Sequence, residues 1–283
     1  MASVADLVSD LALEEIEPLR FRGRNEVGER GVVFGGQLLA HMAVAGARTA
    51  TGKPIKSAHG LFARPVAAGQ DFEIAVDVLH AGRAFASATV TLSRDGRRCA
   101  RALILLTEPE PDLIRHAVPM PDVGGPEAAV PVADSVGGRE VRAVGGVDID
   151  DASAVGPAES YFWVRFPGAP DDQVIAQGLL THASAGFLIG TAMRPHADVG
   201  QSLAHRAIST GIIGHTISFH DDLDTGEWLL LANESPAAGR GRSYGAGHVF
   251  TESGRLVASF SQEAMIRHFP DGQSPDGRET TIL

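Results

Sequence analysis

DFEIAVDVL (Asp71–Leu79), GRAFASATVTL (Gly82–Leu92) and RRCARALILL (Arg97–Leu106) read as three successive strands. Phe72, Ile74, Val76 and Val78 alternate with Glu73, Ala75 and Asp77, the period of two expected of a sheet with one buried face. Asp95-Gly96, between the last two runs, is a hairpin signal. The same text recurs further on as EWLLLANES (Glu227–Ser235), GRSYGAGHVF (Gly241–Phe250), a turn at Ser253-Gly254, and RLVASFSQEAMI (Arg255–Ile266). The pairs His59/His215, Gly82/Gly241 and Gly96/Gly254 lie 156, 159 and 158 residues apart. A near-constant offset across three landmarks argues for an internal duplication.

Each half opens with an apolar segment, VVFGGQLLAHMAVAGARTA (Val32–Ala50) in the first and THASAGFLIGTAM (Thr181–Met193) in the second. A helix with so little polar face must be buried on most sides. An apolar helix followed by an antiparallel meander suggests a sheet wrapped around a central helix. One such unit leaves its sheet edges exposed, and two units side by side would cover them. The expected fold is therefore α+β, a double hotdog of two antiparallel sheets, each around a central helix. Between the halves, residues 108–158 are rich in Pro, Gly, Asp and Ala and show little periodicity. The expected organisation is an N-terminal hotdog domain over 1–107, a linker over 108–158 and a C-terminal hotdog domain over 159–283. At the start of the chain, Val4, Leu7, Val8 and Leu11 follow helical spacing, which predicts an amphipathic helix packed on its own protein.

The 283 residues carry 24 Lys+Arg against 35 Asp+Glu, a net charge of -11. Such a chain is a poor ligand for phosphate backbones or anionic lipid, so neither nucleic acid nor membrane insertion is expected. The single cysteine, Cys99, excludes an intrachain disulfide and a Cys-rich zinc site, and suits a reducing, cytoplasmic setting. The N-terminus is acidic and lacks the basic and apolar regions of a signal peptide.

Gln262 is the most informative polar residue. It shares one face of the last strand with Leu256, Ala258, Phe260, Ala264 and Ile266. A buried amide without a partner costs about 1–3 kcal/mol, so Gln262 is either bonded to a neighbouring backbone or employed at a site. The segment Phe34–Gln37, FGGQ, places Gly35 and Gly36 at a helix start, where free N–H groups can hold an anion or oxyanion. Ser184 and Gly186 occupy the matching region of the second half. Tight helix packing would explain the same glycines. HASAG (His182–Gly186) also resembles a degenerate nucleophile elbow, with Asp222 and His248 following, but the strand–turn–helix context it needs is missing. The acidic residues around Gly226 read as turn chemistry. No metal site and no cofactor motif is expected.

Taken in order, FRG (Phe21–Gly23), VFGGQ (Val33–Gln37), HGLFARP (His59–Pro65), FWVR (Phe162–Arg165), EWLLL (Glu227–Leu231) and SQEAMIR (Ser261–Arg267) resemble the type II acyl-CoA thioesterase family (thioesterase B-like, double hotdog). The resemblance spans nearly the whole chain. It implies water-mediated hydrolysis of fatty acyl-CoA to free acid and CoA, no cofactor, and a homo-dimer or higher homo-oligomer. The family holds the attacking water with an Asp, a Ser or Thr, and a Gln. The glutamine falls on Gln262, which would be catalytic. Ala185 stands at the aspartate position and Ile212 at the Ser/Thr position, so both of those side chains are lost. Ser209 or Thr210 would replace the hydroxyl after a shift in register. Two alternatives follow from these departures: an acyl-CoA-binding hotdog protein with impaired catalysis, or a hotdog hydratase. The hydratase reading is weakened because no D-x-N-P-x-H-like segment occurs.

Overall fold

The computed structural model describes residues 3–24, 31–133 and 137–269. The first half comprises α1 (Val4–Leu11), β1 (Glu14–Glu17), β2 (Arg20–Gly23), α2 (Gly35–Ala47), β3 (Ile55–Phe62), β4 (Phe72–Ala81), β5 (Phe85–Arg94) and β6 (Arg97–Thr107). The second comprises β7 (Val130–Val132), β8 (Glu140–Ala143), β9 (Glu159–Arg165), α3 (Gln173–Ser184), α4 (Leu188–Met193), β10 (Ile208–Phe219), β11 (Leu229–Gly239), β12 (Arg242–Thr251) and β13 (Leu256–His268). The duplication is visible as topology. In the first half the neighbours run β2-β4-β5-β6-β3, and in the second β9-β11-β12-β13-β10.

The two expected sheets are joined into a single 13-stranded one, because β3 pairs antiparallel with β10. Residues 108–158, expected as a linker, contain β7 and β8, and β8 pairs with β9 to extend the sheet beyond the repeat. Their runs of three and four residues, one of them containing Pro131, are too short to show a period. The hairpins at Asp95-Gly96 and Arg240-Gly241 place both residues at positive φ (49° and 71°, 53° and 73°), the primed-turn geometry that matches the twist of paired strands.

α1 forms as expected. Ser3 and Asp6 make a capping box, and Val4, Leu7 and Leu11 are buried. α2 is buried almost all round and lies on the first half of the sheet, with Gly46 so close to Ile104 that an added Cβ would stand 2.8 Å from it. The apolar segment of the second half does not form one helix. Thr181–Ser184 end α3, residues 185–187 turn, and α4 begins at Leu188, which packs over Gly245 of β12. The start of α3, capped by Asp172, carries no strong apolar pattern and lay outside the sequence reading. The stretch Gln173–Met193 is long and apolar enough to cross a bilayer by composition, yet it is interrupted by this turn and 78% buried inside the fold.

α3 packs antiparallel to α2. Gly36, at the start of α2, lies against His182 and Ala185, while Val44, near its end, lies against Gly178. The side chain of Gln177 on α3 then reaches into the first half. Its Oε1 accepts from the Ile55 N–H (2.8 Å) and its Nε2 donates to the Ile55 carbonyl (2.7 Å). Gln177 is buried, so this bidentate bond supplies partners that no water can replace. Gln177→Ala removes both partners of Ile55 and is expected to cost about 2–4 kcal/mol of stability, since each stranded buried group costs about 1–3 kcal/mol. Denaturant unfolding of the variant against wild type checks this; a change below about 0.5 kcal/mol would show that the two halves are held together without it.

Candidate active site

Where the halves meet, the start of α2, the α3–α4 turn and β10 enclose a cavity of about 120 Å³. Phe34, Leu38, Phe62 and Ile212 form apolar wall, and Arg64, Gln201, His205 and Thr210 supply the polar side chains. Gly35, Ala185 and Gly186 line it with backbone. The close approach of the helices makes this possible: a Cβ on Gly36 would stand 2.7 Å from the His182 carbonyl oxygen and 2.9 Å from Ala185 Cβ, so only glycine fits. The positive end of α2 thereby abuts the carbonyl end of α3, a favourable meeting of dipoles.

The N–H groups of Gln37 and Leu38 both turn back to the Phe34 carbonyl, at 3.0 and 3.2 Å. Gly35 and Gly36 are the first residues of α2, so their N–H groups have no intrahelical partner, and Gly35 lines the cavity. The matching donors expected from Ser184 and Gly186 are not free. Ser184 lies in the last turn of α3, and the Gly186 N–H is bonded to the Ala183 carbonyl at 3.1 Å. The structure puts a helix end before Ala185, and a helix end presents carbonyls.

Ala185 and Ile212 both line this cavity, and both present only hydrocarbon. Thr210 lines the cavity too, two residues from Ile212 on the same face of β10, and its Oγ1 is 3.5 Å from His205 Nε2. Ser209 points to the other face and is not part of the lining. Among the described lining residues there is no carboxylate.

Gln262 is buried, 2% exposed, and is not among the residues that line the cavity. It pairs in register with His215 on the adjacent strand, on the inner face of the sheet. Neither amide atom of Gln262 meets hydrogen-bond geometry with any partner. His215 Nε2 lies 2.8 Å from Ser184 Oγ, which itself donates to the Thr181 carbonyl at 3.0 Å. A hydroxyl has one proton. With that proton on Thr181, Ser184 accepts from Nε2–H, which assigns the tautomer and leaves His215 Nδ1 as an unpartnered acceptor. The same geometry removes Ser184 as an activated nucleophile, and His248 is engaged by Ser259 well away from it. Burial pushes the His215 imidazole down to about 4, a shift only partly countered by the nearby Gln262 amide. His182 and His41 are likewise held neutral by burial, His182 further by the neighbouring Arg139 cation and by His41.

Residues 25–107 match the acyl-CoA thioesterase N-terminal domain and residues 115–266 the acyl-CoA thioesterase C-terminal domain. The chain belongs to the acyl-CoA thioesterase family. It is similar to acyl-CoA thioesterase 2 of Haemophilus influenzae, with 29% identity covering 93% of this chain and 97% of the relative. Among solved structures it resembles a TesB protein of Mycobacterium avium subsp. paratuberculosis (TM-score 0.81, 26% identity, 93% of this chain and 99% of that one). It also resembles the acyl-CoA thioesterase II TesB2 of Mycobacterium marinum (TM-score 0.79, 26% identity, 94% and 100%). The C-terminal match begins at residue 115, inside the stretch that the sequence reading set aside as linker.

Within this thioesterase scaffold, sequence reasoning missed two histidines. His215 was visible only as a landmark of the repeat. His205 lies in the segment between α4 and β10, which has no counterpart in the first half and no periodicity to draw attention to it.

The buried histidines have a consequence for stability. A neutral His215 with its pKa lowered to about 4 binds its proton later than the unfolded chain, whose value lies near 6.5. Stability is therefore complete above about pH 6.5 and falls as the pH drops toward 4, by about 1.4 kcal/mol per pH unit for each such histidine. His182 and His41 act in the same direction. Denaturant unfolding at pH 7 and pH 5 is expected to show this loss, and His215→Asn to reduce it. A wild-type curve that stays flat between these values would refute neutral burial.

Proposed function

We propose that this chain hydrolyses fatty acyl-CoA thioesters to free acid and CoA in the cavity between its two halves. The observation that carries the reading is convergence. The α2 N-terminus, Ala185 and Ile212 come from distant parts of the chain and line one cavity, with two N–H groups that lack an intrahelical partner at its edge.

The chemistry asks little of the protein. A thioester carbonyl is already electrophilic, and a thiolate, from a thiol with a free pKa near about 8.5, leaves without a strong acid. What must be supplied is a place for the developing oxyanion and a held substrate. The Gly35 and Gly36 N–H groups at the positive end of α2 suit the first role. Gln262 suits the second: its buried amide has unmet bonding capacity, and a substrate group reaching past Ala185 would satisfy it. The family assignment supports acyl-CoA as substrate, and the mostly apolar cavity wall supports an acyl chain in it. Homo-dimeric or larger assembly and a cytoplasmic setting accompany this reading. Leu61 and Leu103, 68% and 52% exposed on the outer face of the central strands, support the former.

The apolar Ala185 and Ile212 favour one other reading, a protein that binds acyl-CoA without turning it over. Release of CoA from a panel of acyl-CoA chain lengths separates the two. Wild type is expected to turn over at least one chain length, and Gln262→Ala to lower kcat/KM about tenfold, the worth of one good hydrogen bond. Tight binding with no turnover at any length would establish the binding protein instead. Turnover untouched by the substitution would remove Gln262 from the site.

A further inference from the structure

The cavity has lost the two side chains with which the resemblance would activate water, yet it keeps a titratable one. We infer that His205, held beside Thr210, is the general base of this chain. The assignment rests on the thioester-hydrolysing reading above and deepens it.

His205 and Thr210 both line the cavity, together with Ile212, Gly35 and Ala185. Thr210 Oγ1 stands 3.5 Å from His205 Nε2. That separation is at the outer edge of a hydrogen bond, and contacts of this kind tighten when substrate and water are in place. The backbone of His205 is itself held in an unusual state. Its φ is 62°, in the left-handed region that costs a side-chain-bearing residue free energy. A tight turn fixes it there: the His205 N–H donates to the Ile208 carbonyl at 2.8 Å, and Ala204 bridges to Ile208 where β10 begins. The turn holds a cavity-lining imidazole in place. Imidazole is the side chain best suited to take and return a proton near neutral pH. Among the described lining residues the other ionisable side chain is Arg64, which is cationic and accepts no proton.

The step balances with water alone. A water held by the Thr210 hydroxyl gives a proton to His205 Nε2, and its oxygen forms a C–O bond to the thioester carbonyl. The carbonyl π pair moves to oxygen, facing the Gly35 and Gly36 N–H groups. Collapse restores the carbonyl, the C–S bond breaks with its electron pair on sulfur, and His205 returns the proton to the departing CoA thiolate. The reacting centre thus sits about 7 Å along β10 from Ile212, two strand residues away. This leaves Gln262 to hold substrate and gives the water to His205 and Thr210.

The test is steady-state hydrolysis of the best acyl-CoA by wild type, His205→Asn and Thr210→Val. Asparagine is chosen because it tolerates positive φ, so the turn is kept while the base is lost. His205→Asn is expected to lower kcat about 10²–10⁴-fold, with KM within about threefold and the acidic limb of the pH–rate profile abolished. Thr210→Val should lower kcat about 10–10²-fold with the acidic limb retained. A His205→Asn enzyme with wild-type kcat and an intact acidic limb overturns the assignment. If that variant fails to fold, Thr210→Val decides alone, and wild-type kcat in it overturns the assignment equally. A wild type that binds acyl-CoA without turnover sinks the hydrolytic reading, and this one with it. A wild type that turns over while both variants match it sinks only this one.

Discussion

The pairing of β3 with β10 turns two sheets into one and creates the place where chemistry can occur. Each half alone would end on an unpaired edge of N–H and C=O groups. Residues Gly214 to Ser218 of β10 instead run antiparallel to Leu61 to Ser57 of β3, and the ladder continues unbroken from one half to the other. Once these edges are joined, the helices on the inner faces are forced together. α2 meets α3 closely enough that Gly36 has no room for a Cβ, and Gln177 closes the contact by occupying both backbone groups of Ile55. The cavity is what remains at the mouth of that contact.

The same constraint explains why the site is asymmetric although the fold is duplicated. α2 and α4 lie on their own halves of the sheet, but α2 opens from extended backbone at Phe34 while α4 opens from a turn. In the second half the helix is preceded by α3, whose last turn takes up the Gly186 N–H. One half thus supplies donors and the other supplies β10 with its hydroxyl, its buried Ser184–His215 pair and Gln262. A further asymmetry lies between helix and first strand. The connection is short between α2 and β3, but between α4 and β10 it is long enough to carry His205 to the cavity. Divergence of these connections makes the cavity at the joint asymmetric.

Ala185 and Ile212 show how a site can keep its shape while its side chains change. Both remain on the cavity wall, where their apolar groups are well packed, so the fold loses nothing by their identity. Gln262 and His215 are buried at facing positions of neighbouring strands, where the Gln262 amide is the polar neighbour of the His215 ring.

By itself the sequence determined the duplicated meander, the primed turn at Asp95-Gly96, the capped amphipathic α1 and the burial of Gln262, because each is written in local periodicity or turn chemistry. It also placed Ala185 and Ile212 at their positions through resemblance. Tertiary structure alone decided the rest. The break between α3 and α4 falls within a run that is apolar throughout, so nothing local marks it. β7 and β8 exist because β9 offers an edge to pair with, and their own runs are too short to show a period. His205 and Gln177 matter through partners at the other end of a fold contact, and a one-dimensional pattern holds no distance between them.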